Sequence, residues 1–322
     1  MVKIGVAGIG HMGRYHVNVL SSIQGIELTA VCDIDDSEVK RVSELYGIKG
    51  FTDYSKFLKE VDAVVVAVPT YLHYKYASQA LAAKKHVLVE KPITRTIYYA
   101  EKLIELAEEN NVFLQVGHVE RFNAAVQELQ HIVKDPYFIQ AQRMGPRGRI
   151  VDVGVVLDLM IHDIDIILAI AGGHPVDIQA HGTRVYSEFE DLANASIYFD
   201  NGVVANIAAS RVSANKIRTL TISQEDSFIN LDYATQDITI IRQPQTEYVV
   251  MREEIKYKQE AFVERVFVHK DNALKLELIH FIECIGEERE PLRHPEADIS
   301  ALKIAKEIMD KIYVGWDINE KR

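Results

Sequence analysis

The sequence predicts an α/β chain: an N-terminal Rossmann-like, doubly wound parallel sheet followed by a C-terminal α+β domain with a large, mostly antiparallel open sheet. Three observations carry this. Up to about residue 118, short β-branched runs alternate with helix-period segments, the rhythm of parallel strands covered on both faces. Gly8-Ile9-Gly10-His11-Met12-Gly13 stands directly after the first run and opens the first helical segment. Beyond about residue 135, strand-like runs succeed one another with turn signals and few helices between them.

In order, runs at 4–7, 26–32, 63–68, 86–90 and 112–116 read as the parallel strands, and segments near 12–23, 36–46, 71–84 and 96–109, each polar on one side, as the covering helices. A further helix is expected over about 119–134. Strand-like runs then fall at 137–142, 176–186, 193–199, 203–209, 219–222, 228–232, 238–241 and 248–251. Asp200-Asn201-Gly202 marks a hairpin between two of them, since Asn-Gly between alternating runs suits the tight turns that join antiparallel strands. Helices at about 271–286 and 296–312 close the chain. The expected division is a dinucleotide-binding domain over 1–118 and a substrate-binding and oligomerisation domain over 119–322, with the helix near 296–312 free to return to the first.

The 322 residues leave room for two domains at the usual ~100–200 residues each. Lys+Arg 36 against Asp+Glu 47 leaves a net charge of -11, which argues against nucleic-acid or anionic-membrane partners, because these need clustered cations. Residues 153–173 are apolar enough to suggest a membrane span, yet they include Asp158, His162, Asp163 and Asp165. An Asp at mid-bilayer costs at least ~2.5 kcal/mol, so a buried helix is expected instead. Cys32 and Cys284 show neither disulfide-framework nor zinc spacing, and the N-terminus has no basic region followed by a cleavable apolar segment; a cytoplasmic location is expected.

In the glycine motif, Gly8 permits a tight turn, Gly10 lets a pyrophosphate approach the backbone, and Gly13 allows close helix–strand packing. The helix N-terminus adds free N–H groups and positive dipole for phosphates. Asp33, 20 residues beyond Gly13, ends the second run where a carboxylate can accept hydrogen bonds from a ribose. With Asp35 and Asp36 nearby it would repel a 2′-phosphate, so NAD is expected rather than NADP.

Glu90-Lys91-Pro92 closes the fourth run, at the carboxyl edge where doubly wound sheets bind ligands. A lysine there either stands in solvent or hydrogen-bonds a substrate hydroxyl and assists proton transfer. Asp158 and His162, four apart, share one helix face. They fit either a satisfied core histidine near a capping aspartate or an imidazole that accepts a proton from an alcohol.

Taken together, Gly8 to Gly13, Val68-Pro69 with His73 downstream, His86-Val87-Leu88-Val89-Glu90-Lys91-Pro92 and Asp158-Leu159-Met160-Ile161-His162 resemble the Gfo/Idh/MocA family of sugar and polyol dehydrogenases over nearly the whole length. The resemblance implies a catalytic group of Lys91, Asp158 and His162: His162 as general base, Lys91 polarising the reacting hydroxyl, Asp158 holding substrate or base. It places the nicotinamide between these residues and the Pro69–His73 segment, and the expected cofactor contacts are Gly8, Gly10, His11, Met12, Gly13, Asp33, Pro69, His73, Glu90 and Lys91. Residues 117–123 and 152–158 resemble the branch acting on UDP-N-acetylglucosamine at its 3-position.

Arg143, Arg147 and Arg149 fall in an acid-free stretch after Pro136, and guanidinium forks match phosphate oxygens, so a diphosphate clamp is one reading and pairing with surface carboxylates the other. The expected substrate contacts are Arg121, Asn123, Arg147, Arg149, Asp158 and His162, with a structural helix N-terminus the competing reading for Arg121 and Asn123; His118 is a further cofactor or substrate contact to weigh, and no metal set appears. The tyrosines, scattered through the chain, suggest no further site. The expectation is an NAD-dependent dehydrogenase oxidising a ring hydroxyl of a UDP-N-acetylhexosamine, working as a homodimer or homotetramer paired through the C-terminal sheet. The competing readings are a free-polyol dehydrogenase, a non-catalytic dinucleotide- and sugar-binding regulator, and a glycosidase that cycles a hydride on a retained NAD.

Overall fold

The computed structural model describes residues 1–147, 152–242, 262–286, 291–293 and 295–319. The chain begins β1 (Lys3–Ala7), α1 (His11–Leu20), β2 (Glu27–Cys32), α2 (Asp36–Tyr46), β3 (Lys49–Phe51), α3 (Tyr54–Phe57), β4 (Ala63–Val66), α4 (His73–Ala82), β5 (His86–Glu90), α5 (Ile97–Asn110) and β6 (Leu114–Gly117). These six strands form one sheet in the order β3-β2-β1-β4-β5-β6, and every pairing is parallel. The strand order reverses between β1 and β4, which opens a crevice at their carboxyl ends. Short polar side chains start the helices: Asp35 accepts the N–H groups of Ser37 and Glu38, and Thr96 accepts that of Tyr99.

The remainder contains α6 (Ala124–Ile132), β7 (Phe138–Met144), a π-turn (Val156–Met160) running into α7 (Ile161–Ile170), β8 (Pro175–Thr183), β9 (Leu192–Phe199), β10 (Val204–Ser210), β11 (Ile217–Gln224), β12 (Ser227–Asp232), β13 (Asp237–Arg242), β14 (Phe262–Val266), α8 (Ala273–Ile285) and α9 (Pro295–Asn319). Its eight-stranded sheet has the order β14-β13-β12-β11-β7-β10-β9-β8. All pairs are antiparallel except β7 with β10. Gly202, at φ +87, makes the turn between β9 and β10 that Asn201-Gly202 predicts.

One expectation is corrected, two strands are added, and one expected strand cannot be placed among the described residues. The predicted helix over 119–134 is broken into a 3-10 turn (Val119–Phe122) and α6, because Asn123 caps the new helix by accepting the Ala125 N–H. β3 and β14 were not foreseen; β3 is only three residues long, and Gly50 within it gives no strand signal. The expected strand at 248–251 lies outside the described residues. Among the described residues, no helix is long and apolar enough to cross a membrane.

The described residues divide between two compact units, one drawn from Met1–Phe122, Arg149–Asp165 and Asp271–Glu307, the other from Asn123–Gly148, Ile166–Lys270 and Ile308–Arg322. The first has a core of Ile4, Val6, Val17, Val31, Val65 and Leu88, completed from far along the chain by Leu278 and Phe281 of α8. In the second, alternate residues of the strands turn inward, among them Ile139, Ala141, Ala205, Ile207, Leu220 and Ile222.

Within the second unit, the loop leaving β8 is organised by one carboxylate. Asp191 Oδ2 accepts the N–H groups of Val185, Tyr186 and Ser187 at 2.7, 2.6 and 3.0 Å, while Oδ1 accepts from Arg211 Nε at 2.6 Å. Burial would raise the pKa of this acid, but the donors outweigh it and hold the group below the usual carboxylate range. Its stabilising contribution is therefore present above the unfolded value near ~3.9 and lost as pH falls through the lower folded one. Asp191→Asn is expected to lower stability at neutral pH by about 1–3 kcal/mol, and thermal melts should show the gap to wild type closing below about pH 4. A gap that stays constant down to pH 3 would show that the charge is not its origin.

Candidate active site

At the crevice, β1 runs into a glycine loop whose three glycines are each constrained differently. Gly8 has φ +85, and a Cβ there would stand 2.7 Å from the Ala67 carbonyl oxygen. A Cβ on Gly13 would lie 1.8 Å from the carbonyl oxygen of Gly8, whereas one on Gly10 would meet nothing within 4 Å. The loop thus closes tightly around Gly8 and Gly13 and is open at Gly10. Gly10 is also the N-cap of α1 and offers no side-chain cap, so first-turn N–H groups remain available to a ligand.

Asp33 braces this loop from β2. Its Oδ2 accepts the Ile9 N–H at 2.7 Å and its Oδ1 that of Asp35 at 3.1 Å. Each oxygen keeps a second lone pair for a ribose hydroxyl. Gly8, Gly10, Asp33 and Ile34 line a cavity of about 320 Å³ whose far wall is Tyr54, Tyr71 and Tyr76. The ring of Tyr54 meets that of Tyr76 edge-on at 4.8 Å, and its hydroxyl donates to the Tyr76 carbonyl at 3.0 Å. The tyrosines, which the sequence marks as no further site, include three that line this cavity; Tyr71 stands 17 positions after Tyr54 and Tyr76 a further 5, and they converge only through folding.

A second cavity of about 490 Å³ shares Gly10, Val68, Pro69 and Tyr71 with the first and extends to His11, Met12, His73, Glu90, Lys91, Asp152 and Asp158. His73 ties its walls together, with Nδ1 2.8 Å from the Pro92 carbonyl and Nε2 2.9 Å from that of Val68; burial lowers its pKa. Glu90 is buried beneath the loop, its Oε1 2.7 Å from His16 Nε2 of α1. Burial alone would raise the Glu90 pKa, but the hydrogen bond and charge of His16, with Lys91 and His73 adding, keep it lowered. Asp152 joins the wall from the other side: it accepts the Tyr71 N–H at 3.3 Å, and its carbonyl accepts from Arg95 at 2.8 Å. Arg95 also meets the Asp152 carboxylate at 3.5 Å, and nothing in the sequence around Arg95 signals this contact.

Lys91 stands at the centre. Its Nζ donates to the Asp158 carbonyl at 2.5 Å and to Asp158 Oδ1 at 3.0 Å. Asp158 lies in the π-turn, a local widening that recurs at functional sites and shifts it relative to His162 from the plain four-residue spacing. His162 follows on α7, 8% exposed, and is not among the residues lining this cavity. The ring of His118 meets it edge-on at 6.4 Å.

Beside that pair lies a buried ionic cluster. Arg121 grips Asp165 through Nε at 2.7 Å and Nη2 at 2.6 Å, and the same Nη2 reaches Asp298 Oδ1 at 2.5 Å. Burial, with the neighbouring charge of Asp165 and against that of Arg121, raises Asp298 to about 7; burial lowers His118 to about 3. His118, Asp165 and Asp298 are metal-ligand types with ligand atoms within 4.8 Å of one another, and the Arg121 guanidinium already spans both carboxylates.

Comparison with known proteins decides the class. Residues 2–118 match the oxidoreductase family with an NAD-binding Rossmann fold, and residues 126–227 match the GFO/IDH/MocA C-terminal domain. The UDP-N-acetylglucosamine 3-dehydrogenase of Acidithiobacillus ferrooxidans is 34% identical over 241 residues, 74% of this chain and 76% of that protein. The chain belongs to the Gfo/Idh/MocA oxidoreductase family. A solved structure of that Acidithiobacillus enzyme matches this one with a TM-score of 0.87 at 30% identity, covering 97% of both chains. The scyllo-inositol 2-dehydrogenase (NAD(+)) of Bacillus subtilis is 28% identical over 313 residues, 90% of this chain and 88% of the other.

As a Gfo/Idh/MocA protein, the chain brings Gly8, Gly10, Asp33, Pro69, His73, Glu90, Lys91 and Asp158 to two adjoining cavities. Other expected contacts are placed elsewhere. Arg121 is committed to Asp165 and Asp298 rather than open to substrate, and Asn123 is buried, capping α6 and donating to the Tyr233 carbonyl at 3.0 Å. Arg143, 2% exposed, stacks 4.8 Å over the ring of Tyr233. Arg147 is exposed and stacks 4.6 Å over Tyr186; Arg149 lies outside the described residues.

Gly13→Ala tests the loop. Because its Cβ would overlap a carbonyl oxygen, the loop must move, and NADH binding followed by fluorescence should be lost, whereas Gly10→Ala leaves the fold's melting temperature unchanged. Unaltered NADH affinity in Gly13→Ala would refute the loop as the dinucleotide cradle.

Proposed function

We propose that this Gfo/Idh/MocA oxidoreductase is an NAD-dependent dehydrogenase of a sugar ring hydroxyl, with the 3-hydroxyl of a UDP-N-acetylhexosamine as its substrate. The observation that carries the catalytic reading is the double hold of Asp158 on Lys91 Nζ beside the glycine loop. The likeness to the Acidithiobacillus enzyme along 97% of both chains supports the substrate. The open backbone at Gly10 and the ribose-ready oxygens of Asp33 fit a dinucleotide, which when bound supplies the hydride acceptor at nicotinamide C4.

The chain's own residues then manage the proton. An ammonium carries three donors, and the two directed at Asp158 leave one for the substrate hydroxyl oxygen, whose developing negative charge it stabilises. His162 takes the hydroxyl proton as the C–H bond gives up its electron pair, and the ketone forms; the reverse order returns the proton. Asp158 holds Lys91 in line, and Glu90, buried next to it, is kept below the ordinary carboxylate range by its hydrogen bond to His16 and the charges of His16 and Lys91.

A free-polyol dehydrogenase is the second reading, favoured by the commitment of Arg121 and Arg143 to internal partners, which leaves fewer cations for a diphosphate. Incubation with NAD and either UDP-N-acetylglucosamine or free inositols separates the two: absorbance from NADH should rise with the nucleotide sugar, and reduction by free polyols alone would overturn the substrate. Lys91→Ala and His162→Ala should each lower kcat by ~10²–10⁴-fold with NADH binding retained. Near-normal turnover in both would remove them from the mechanism.

Asp33, with Asp35 and Asp36 beside it, supports NAD over NADP, because a 2′-phosphate would meet its carboxylate. Titration should show tighter binding of NADH than of NADPH. The opposite order would refute this choice.

A further inference from the structure

We infer that Arg121 is a positioning residue for His162, acting through Asp165 rather than on substrate; this rests on the reading of His162 as the general base. Asp165 follows His162 by three residues on α7, so the two side chains leave the helix about one turn apart. Whatever fixes Asp165 fixes the rotation and depth of the helix at His162. Arg121, on the 3-10 turn after β6, fixes it with both arms of its fork and ties it to Asp298 near the start of α9. Arg293 adds contacts to the carboxylate and carbonyl of Asp165 at 3.3 and 3.4 Å.

On the other side of His162, Lys91 holds Asp158 by its carbonyl and carboxylate. The imidazole therefore sits between two cationic tethers, one before it in sequence and one after. The tether at Asp158 locates the π-turn, and the second tether, at Asp165, holds the α-helical turn from which the His162 side chain leaves. Ionic groups this buried are weak contributors to stability, because the cost of taking them out of water offsets their attraction. Geometric definition is what they supply here. Arginine suits this task and lysine does not, since a planar fork meets both oxygens of Asp165 while reaching a second carboxylate.

The test is Arg121→Lys alone and in a His162→Ala background, assayed on whichever sugar or polyol hydroxyl the wild type oxidises. Displacement of a reacting group by about 1 Å costs on the order of 10²-fold, so the single variant should lose roughly 10–100-fold in kcat. NADH affinity should stay within about twofold, and Arg121→Lys should change the residual rate of His162→Ala by no more than about twofold. A substrate contact would instead raise KM with kcat kept. A purely structural role would cause the same fold-loss in both backgrounds and weaken NADH binding with it. Either result overturns the inference.

Asp298→Asn keeps the fork on Asp165 and cuts the charge that ties it to α9; it repeats the cycle should Arg121→Lys fail to fold. If the wild type oxidises no hydroxyl, the dehydrogenase reading fails by itself, and the positioning role is read from the His162 ring by two-dimensional ¹H–¹⁵N NMR. Shifted or doubled ring signals in Arg121→Lys support it, and unchanged signals refute it.

Discussion

The arrangement of this molecule depends on one ammonium group. Lys91 directly follows β5, next to the edge strand of the parallel sheet, and its side chain reaches a π-turn 67 positions further along the chain to bond both the carbonyl and the carboxylate of Asp158. A single contact would locate a side chain; two contacts on one residue, from backbone and side chain, locate a segment. The glycine loop and the π-turn approach the same crevice from different elements, and Lys91 sets the distance between them.

Around that contact, charge is balanced locally rather than over the whole surface. Glu90 meets His16 on one side of Lys91, and Asp165 and Asp298 meet Arg121 and Arg293 farther along α7 and α9. A net charge of -11 says nothing of this, since Asp165, Asp298 and Asp191 each have an arginine within hydrogen-bond reach. Glu277 of α8, fully buried, is different: burial and the charge of Glu90 raise its pKa well above the ordinary value. A neutral acid is the form that such a place tolerates.

Much of this was legible from residue order. The parallel half announces itself because strands buried on both faces read as continuous β-branched runs, as in Ala63–Val66, where all four residues are buried. The antiparallel half does so by alternation and by Asn201-Gly202. The glycine loop, Asp33, Lys91 and Asp158 were readable because each sits at the end of a strand or on one helix turn, where local spacing decides position. Arg121 stayed open between a substrate contact and a structural role, because its partners are 44 and 177 positions away and nothing local separates a guanidinium that meets a carboxylate of its own chain from one that waits for a phosphate. Asn123 was ambiguous in the same way, since an amide that caps a helix looks like one that binds a sugar. The tyrosines around Asp33 carry no periodicity, because they come from α3, α4 and the turn before α4.

Asp33 has two tasks in one carboxylate. It lines the cavity beside the glycine loop, where the proposed function puts a ribose, and it holds the Ile9 N–H of that loop. On the proposed reading, cofactor preference and loop geometry would be inherited together, and a lineage drifting toward a 2′-phosphorylated dinucleotide could not simply trade this acid for a cation. The loop would first need another acceptor for Ile9, so the change demands at least two substitutions with an impaired intermediate between them. On that reading, such coupling would make cofactor choice in this chain slow to evolve, even though a single side chain would set it.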